Sequence, residues 1–363
     1  MQATAPTSRL CSLDAFRGAT MALMVLVNTA GGPDSYGPLK HSDWNGWTIT
    51  DVVFPSFVWI VGVAITLSLG QKLAAGVPKS KLFAQAARRA AIIFVLGLIV
   101  YAAPDFSLST QRILGVLQRI AICYLIASAI YLTASWRAQI AWIVGLLASY
   151  WLIMKLVPVP GYGAGDLAVG HNIANYVDRV VLGAHNYAGT KTWDPEGLIS
   201  TLPSIATALL GVIAGQILKL KRDLSERTVW LYLTGSVLIA LGLICDIWLP
   251  INKKLWTSSF SLFMAGLDFV IFAGFLWLID GRGYQRHARP LMIMGMNAIA
   301  VYMASELVEE VLGATHVHEW VYKTVFAAAL APKNASLGYA VAYTLLMYAL
   351  AHVMYQRRWF LKV

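Results

Sequence analysis

The sequence predicts an all-α polytopic membrane protein with about ten transmembrane helices and both termini in the cytoplasm. Three observations carry that expectation. Of 363 residues, 58% are hydrophobic and 13% charged, with a mean hydropathy of +0.64, whereas a soluble chain carries about 25% charged residues. The apolar residues recur in blocks of about 20, the length that crosses a hydrocarbon core as a helix. Nothing alternates with the period of barrel strands, and lipid cannot satisfy loose backbone groups, so helices remain. Finally, the 28 Lys and Arg residues are unevenly placed. Eighteen, Arg9 and Lys362 among them, fall on the side shared by the termini, eight fall opposite, and Arg119 and Lys155 lie inside spans. The positive-inside rule puts the richer side in the cytoplasm. The formal charge of +10 therefore sets topology and is not a nucleic-acid footprint.

The chain reads as one integral domain over residues 1–363, with spans at 13–31, 50–70, 90–104, 115–134, 138–156, 197–217, 228–248, 258–279, 290–308 and 336–355. The first follows "RLCSLDAFRG" without a small-residue cleavage site, so it reads as a retained helix and not a signal peptide. It ends at Asn28 in "MVLVNTAGG", and the second opens at Asp51 after a polar patch carrying His41, Asp43, Trp44 and Asn45. The third follows Arg88 and Arg89. The fourth begins in "QRILGVLQRI" with Arg112, Gln118 and Arg119, and only "SWR" parts it from the fifth. "WDPEG", with Asp194 and Glu196, introduces the sixth, and the basic "KLKRDLSER" introduces the seventh. "LPINKKLWTSS" brings Asn252, Lys253 and Trp256 ahead of the eighth. "DGRGYQRHARP", with Arg286, leads to the ninth, which carries Asn297, Tyr302, Ser305 and Glu306. Residues 157–196 and 309–335 are the larger periplasmic segments. The first is too long for a mere connector, and the second holds a candidate interfacial helix in "HEWVYKTVFAAALAP".

A charged side chain at the bilayer centre costs about 2.5–3.5 kcal/mol on insertion scales, so such residues mark function or pairing. Apart from the deeper Asn297, the polar residues from Asn28 through Glu306 lie at or near the outer ends of their helices, as one wet cavity opening outward requires. Plainer readings stand beside this one. His41 alone is a hydrogen-bonded loop histidine, Trp44 and Trp47 an aromatic belt, and Asp194-Pro195-Glu196 a helix start. Asp14 and Arg17 form an i,i+3 pair, and Lys253 and Lys254 are solvated loop charges. His171, His185, His316 and His318 are too scattered for a metal site and read as surface residues. Cys11, Cys123 and Cys245 show no pairing or zinc spacing. No metal is expected, and no phosphate loop, nucleophile elbow or H-E-x-x-H is present.

Read together, "RLCSLDAFRG", "VNTAGG", "KHSDWNGWTITDVVFPSFVWIVG", "RILGVLQRIAICYL", "NYVDRVVLG", "WDPEGLISTLPSIATALLGVIAG", "PINKKLWTSSF" and "GMNAIAVYMASE" resemble the heparan-alpha-glucosaminide N-acetyltransferase family, and within it the bacterial NagX-type relatives of the transmembrane acyltransferase superfamily. The resemblance runs from Arg9 to the tenth helix with the motifs in the same order. It implies a multi-pass protein of the bacterial inner membrane that moves an acetyl group from cytoplasmic acetyl-CoA, its co-substrate, to an amino-sugar acceptor of glucosamine type on the periplasmic side. The other partner is the lipid bilayer; no nucleic acid is expected, and a homodimer is one assembly open to it.

The family's active histidine falls on His41 and its neighbouring asparagine on Asn28. An imidazole suits removal of a proton from the acceptor amine, an amide suits the developing oxyanion, and Asp51 or Asp43 would hold the imidazole tautomer. A covalent acetyl-histidine is the alternative to direct transfer. The acceptor side would use Trp44, Asn45, Asp194, Glu196, Asn252, Lys253, Trp256 and Glu306. The donor side would use Asp14, Arg17, Arg88, Arg89, Gln118, Arg119, Arg286 and Asn297, since guanidinium forks suit phosphate. Two other functions share these features: a secondary transporter of a sugar or amino sugar, and an acyltransferase of the same scaffold acting on a glycan or lipid hydroxyl.

Overall fold

A computed structural model describes residues 10–103 and 106–361; Arg9 and Lys362 lie outside the described residues. The chain is almost wholly helical, in the order α1 (Cys11–Asn28), α2 (Ile49–Ala74), α3 (Lys79–Ala102), α4 (Val116–Thr133), α5 (Trp136–Leu156), α6 (Ile173–Leu182), α7 (Thr201–Leu218), α8 (Leu224–Asp246), α9 (Ser258–Phe275), α10 (Gln285–Met296), α11 (Ala298–Ala314), α12 (Val317–Val321) and α13 (Pro332–Gln356). A two-residue hairpin, β1 (Pro158–Val159) against β2 (Gly163–Ala164), is the extended structure named among the described residues. Wider π-helical turns extend α9 through Gly281 and α12 through Ala327.

Eight helices are long and apolar enough to cross a membrane, and the α10–α11 pair makes a ninth if counted as one span. With Asp14 and Arg17 in its first turns, α1 is not among them, yet it packs into the same bundle against α2, α10 and α13. In a membrane, helices approach closely where small residues face one another. A Cβ on Gly62 of α2 would lie 1.9 Å from the Ala208 carbonyl of α7, and one on Gly295 of α10 would lie 2.0 Å from that of Asp14 on α1. Any side chain there would force these helices apart. Trp59 is fully buried at the centre, edge-on to Phe269 and Phe272 of α9.

The ninth span is not the continuous helix expected over 290–308. It bends by 66° between α10 and α11. Asn297, at the break, leaves helical geometry (φ −120°, ψ 32°). Its side chain donates to the Trp359 carbonyl (3.1 Å) and accepts from the Leu361 amide (3.2 Å). This amide thus satisfies two backbone groups of the C-terminal segment and ties that segment to the break. Ser12 donates its amide to Asp280, and Gly295 packs on α1, so both ends of the described chain lie at one end of the bundle.

Candidate functional site

At the opposite end, the loop after α1 folds back onto the start of α2. Thr48 is extended and precedes the first turn, and Asp51 sits at the third helical position. Asp51 Oδ2 accepts the amides of Thr48 and Ser42, both at 3.0 Å, in the reciprocal manner of a capping box. Its other oxygen lies 2.7 Å from His41 Nδ1. Asp51 is fully buried, whereas the His41 side chain is 47% exposed. A carboxylate only accepts, so Nδ1 carries the hydrogen and Nε2 remains the basic nitrogen. One acid thus starts a transmembrane helix and sets the tautomer of a histidine.

The segment between α8 and α9 closes over this loop. Gly46, in the left-handed region at φ +90°, donates its amide to the Ile251 carbonyl (2.7 Å) and forms a parallel bridge with Asn252. Asn252 donates to Asn45 Oδ1 (3.2 Å) and accepts from the Leu255 amide (2.9 Å). Lys254 donates to the Asp43 carbonyl at 2.6 Å. Asn45 and Asn252, expected on a sugar, therefore join the two loops. Lys253 is inserted between them, with Nζ 3.0 Å from His41 Nδ1, 3.3 Å from Nε2 and 3.7 Å from Asp51. Burial lowers the pKa of its amine, against the opposing pull of the Asp51 and Glu196 carboxylates.

A second layer is built on "WDPEG". Arg112 Nε donates to Asp194 Oδ2 (2.8 Å) and Nη2 to Oδ1 (2.5 Å), while Nη2 also pairs with Glu196. Its guanidinium lies between the rings of Tyr101 (4.8 Å) and Tyr187 (4.7 Å), a charged and stacked geometry particular to arginine. Burial works to raise the Glu196 pKa, but Arg112, Arg119 and Lys253 outweigh it and hold this carboxyl below its usual value. Asp178, on α6, accepts the amides of Leu198 (2.9 Å) and Asp194 (3.3 Å). Burial pushes its pKa up to about 6 despite those bonds. Arg119, buried beneath, donates to the Gly197 carbonyl (3.1 Å) and to Ser200, with its guanidinium 5.1 Å from the Trp256 ring. Trp256 is fully buried, edge-on to Phe54, with its indole N–H on Thr207, so it has no open ring face for a sugar. Trp44 is half-buried, edge-on to Trp193 and bonded to the Leu167 carbonyl.

Asn28, the last residue of α1, is exposed and donates to Glu306 of α11 at 3.5 Å. About one helical turn inward of Asn28 and Glu306, at Met24 and Tyr302, a cavity of about 270 Å³ lies inside the bundle between α1, α2, α3, α4, α10 and α11; neither Asn28 nor His41 lines it. Its walls are largely apolar, with Met21, Met24, Ile60, Ile93 and Ile120 among them; Tyr302 and Val116 mark the outer part, and Arg17, Arg89 and Leu361 also line it. Val116 of the cavity wall donates its amide to the Tyr101 hydroxyl (3.4 Å), which ties the cavity to the Arg112 layer. Of the residues expected on the donor, Arg17 and Arg89 line this space. Asp14 pairs with Arg17 at 3.3 Å. Arg88 and Arg286 are exposed and lie off the cavity, Gln118 is buried against Gly97, and Arg119 belongs to the WDPEG layer. Asn297 reaches the cavity only through the segment it holds, which includes Leu361. Asp178, Tyr101 and Tyr187 escaped the sequence reading. For Asp178 the signal was an acid among the apolar residues of "NYVDRVV", on the buried face of a strongly amphipathic helix.

A sequence model of the family described as heparan-alpha-glucosaminide N-acetyltransferase, catalytic, matches residues 9–252. Two proteins named heparan-alpha-glucosaminide N-acetyltransferase are similar to this chain. The human protein is 32% identical over 357 residues, covering 83% of this chain and 53% of its own length. The mouse protein is 30% identical over 413 residues, covering 98% of this chain and 61% of its own length. The chain thus spans between half and two thirds of these relatives.

Proposed function

Because the chain belongs to the heparan-alpha-glucosaminide N-acetyltransferase catalytic family, we propose that it transfers an acetyl group from acetyl-CoA to the amine of a glucosamine-type sugar across the membrane that holds it. In this reading the end bearing both termini faces the cytoplasm, the His41 end faces the periplasm, and the membrane is the bacterial inner one. The observation that carries the proposal is the pairing of a carboxylate-held imidazole at one end of the bundle with an apolar cavity that two arginines line.

The cavity suits the donor chemically. Arg17 and Arg89 offer guanidinium groups to the phosphates, which do not enter hydrocarbon. The apolar walls accept the slim pantetheine arm, and Tyr302 lies where the thioester end would arrive. At the acceptor side Asp51 holds the Nδ1 hydrogen, so Nε2 of His41 takes the proton as the amine adds to the acetyl carbon. Asn28 offers its amide to the oxygen of the adduct. The carbon–nitrogen bond forms, the carbon–sulfur bond breaks, and the proton held by His41 passes to the departing thiolate. Glu196 and Glu306 suit a cationic amino sugar, and Trp44 supplies an aromatic surface beside them.

Purified protein given labelled acetyl-CoA and glucosamine in detergent is expected to form N-acetylglucosamine without any gradient, which a transporter would not do. His41→Ala is expected to abolish transfer while CoA still binds. Normal turnover by that variant defeats the assignment.

A further inference from the structure

We infer that Lys253 acts on the reaction through His41: its ammonium, set against the imidazole, keeps Nε2 free of a proton until the acceptor amine delivers one. This rests on the acetyl-transfer reading above and changes the role of Lys253 from sugar contact to partner of the base.

The adjacent lysines have diverged in use. Lys254 reaches outward to the Asp43 carbonyl and fastens one loop to the other. Lys253 turns inward, its side chain 17% exposed, and lies within 3.3 Å of both ring nitrogens. The backbone around it is committed by Asn252, which takes the Leu255 amide on its side chain and the Thr257 amide on its carbonyl. A lysine free to choose would remain in water, because its head group is strongly hydrated. Here its stem is led to the ring, and burial of the amine is opposed by Asp51 and Glu196.

The charges facing His41 come from three directions. Asp51 presents a carboxylate from α2, Lys253 an ammonium from the segment before α9, and Glu196 lies beyond Lys253 in the WDPEG layer. Asp43 and Lys254 are neighbours along the two loops. With the ring neutral, Asp51 and Lys253 balance. Protonation of Nε2 would place a second cation about 3 Å from the first, so Lys253 opposes it while Asp51 favours it. Once the amine has added to the acetyl carbon, the same repulsion favours passing the proton from Nε2 to sulfur as the carbon–sulfur bond breaks. One fixed charge therefore works at both proton transfers.

The test is the pH profile of kcat/KM for Lys253→Met, Lys253→Arg and Lys254→Met in the full chain. A unit charge about 4 Å away, still screened by water, moves a titration by roughly one pH unit. For Lys253→Met the acid limb is expected to move to higher pH by about one unit, with transfer falling about 3-fold at pH 7 and about 10-fold on the acid side of both limbs. Lys253→Arg is expected to keep the wild-type limb, and Lys254→Met not to move it. The pH dependence of His41 modification by diethyl pyrocarbonate, which reacts with neutral imidazole, should shift in parallel and reads the ring without turnover. An unmoved limb and an unmoved modification profile in Lys253→Met overturn the inference, as does a rise in acceptor KM alone, which marks a sugar-binding lysine. If Lys253→Met fails to fold, Lys253→Gln, which removes the charge and keeps a polar side chain, is read by the same two profiles, and an unmoved limb there overturns the inference. Failure here leaves the acetyl-transfer reading intact, whereas turnover by His41→Ala removes the reading itself.

Discussion

His41 and His318 lie at the same end of the bundle, each against a carboxylate, and they differ in what the other ring nitrogen faces. His41 sets Nδ1 against Asp51, and its Nε2 faces only the Lys253 amine at 3.3 Å, with no acceptor on it among the described residues. His318 pairs Nδ1 with Glu309 and sets Nε2 3.0 Å from the Gly31 carbonyl, its ring 4.5 Å from that of Tyr339. A carboxylate and a carbonyl face the two His318 nitrogens, so neither nitrogen is open to an incoming group. It ties α12 to α11 and to the turn after Asn28. A histidine beside an acid becomes a base or a clasp according to what its second nitrogen meets, and a sequence does not record that.

The largest expected effect follows directly. His41→Ala should lower acetyl transfer by about 10³-fold or more, while His318→Ala should lower it by about 10-fold at most, with a loss of thermal stability. Equal losses of rate in a steady-state assay would erase the distinction drawn here.

The Arg112 layer is held together as His318 is, by two acceptors on one group, here the Asp194 and Glu196 carboxylates. Removing one partner of a buried ion pair strands the other, at about 3 kcal/mol or more. Arg112→Gln should therefore depress the thermal unfolding midpoint, and the Asp194→Asn/Arg112→Gln double variant should recover part of the loss. Additive losses in that cycle would show that the fork is not a unit.

Asp178 sharpens the contrast through pH. Its folded pKa of about 6 stands above the ordinary 3.8, so between these values the folded state binds more protons than the unfolded one. Stability contributed by the protonated acid is complete below about pH 4 and is lost as pH rises through 6. The change is about 2–3 kcal/mol. Thermal melts from pH 4 to 7 should show wild type losing ground to Asp178→Asn across that window. Parallel curves would contradict this.

A smaller effect is expected at the arginine-lined cavity. Asn297→Ala frees the segment that carries Leu361 into the cavity, and CoA affinity should change by about 3- to 10-fold with the pH profile untouched. Calorimetry with CoA measures this, and an unchanged Kd would detach the segment from donor binding.

Much of the site was legible because it is local in sequence. His41 and Asp51 fall within one loop and one helical turn, so spacing allows their pairing, although it leaves Asp43 open as the alternative and the Thr48 capping box unread. Arg17 and Arg89 could be suspected but not separated from Arg88 and Arg286, since helix rotation decides which guanidinium faces a cavity. Trp256 shows the reverse: an aromatic beside polar motifs read as a sugar platform, yet α2, α7 and α9 enclose it. Asp178 acquires its role only when α6 folds back beneath residues 194–198.

By itself the sequence determined the helical class, the end of each helix that carries polar residues and the local order around His41. Hydrophobic length and capping chemistry depend on neighbours along the chain. Only the tertiary structure decided that Lys253 meets the imidazole, that Arg112 and not Arg119 holds Asp194 and Glu196, that Asn297 breaks a span to hold the C-terminal segment, and that His318 has no free nitrogen. Those outcomes depend on which faces of distant helices are brought within about 3 Å, a distance over which hydrogen bonding is decided and chain spacing says nothing.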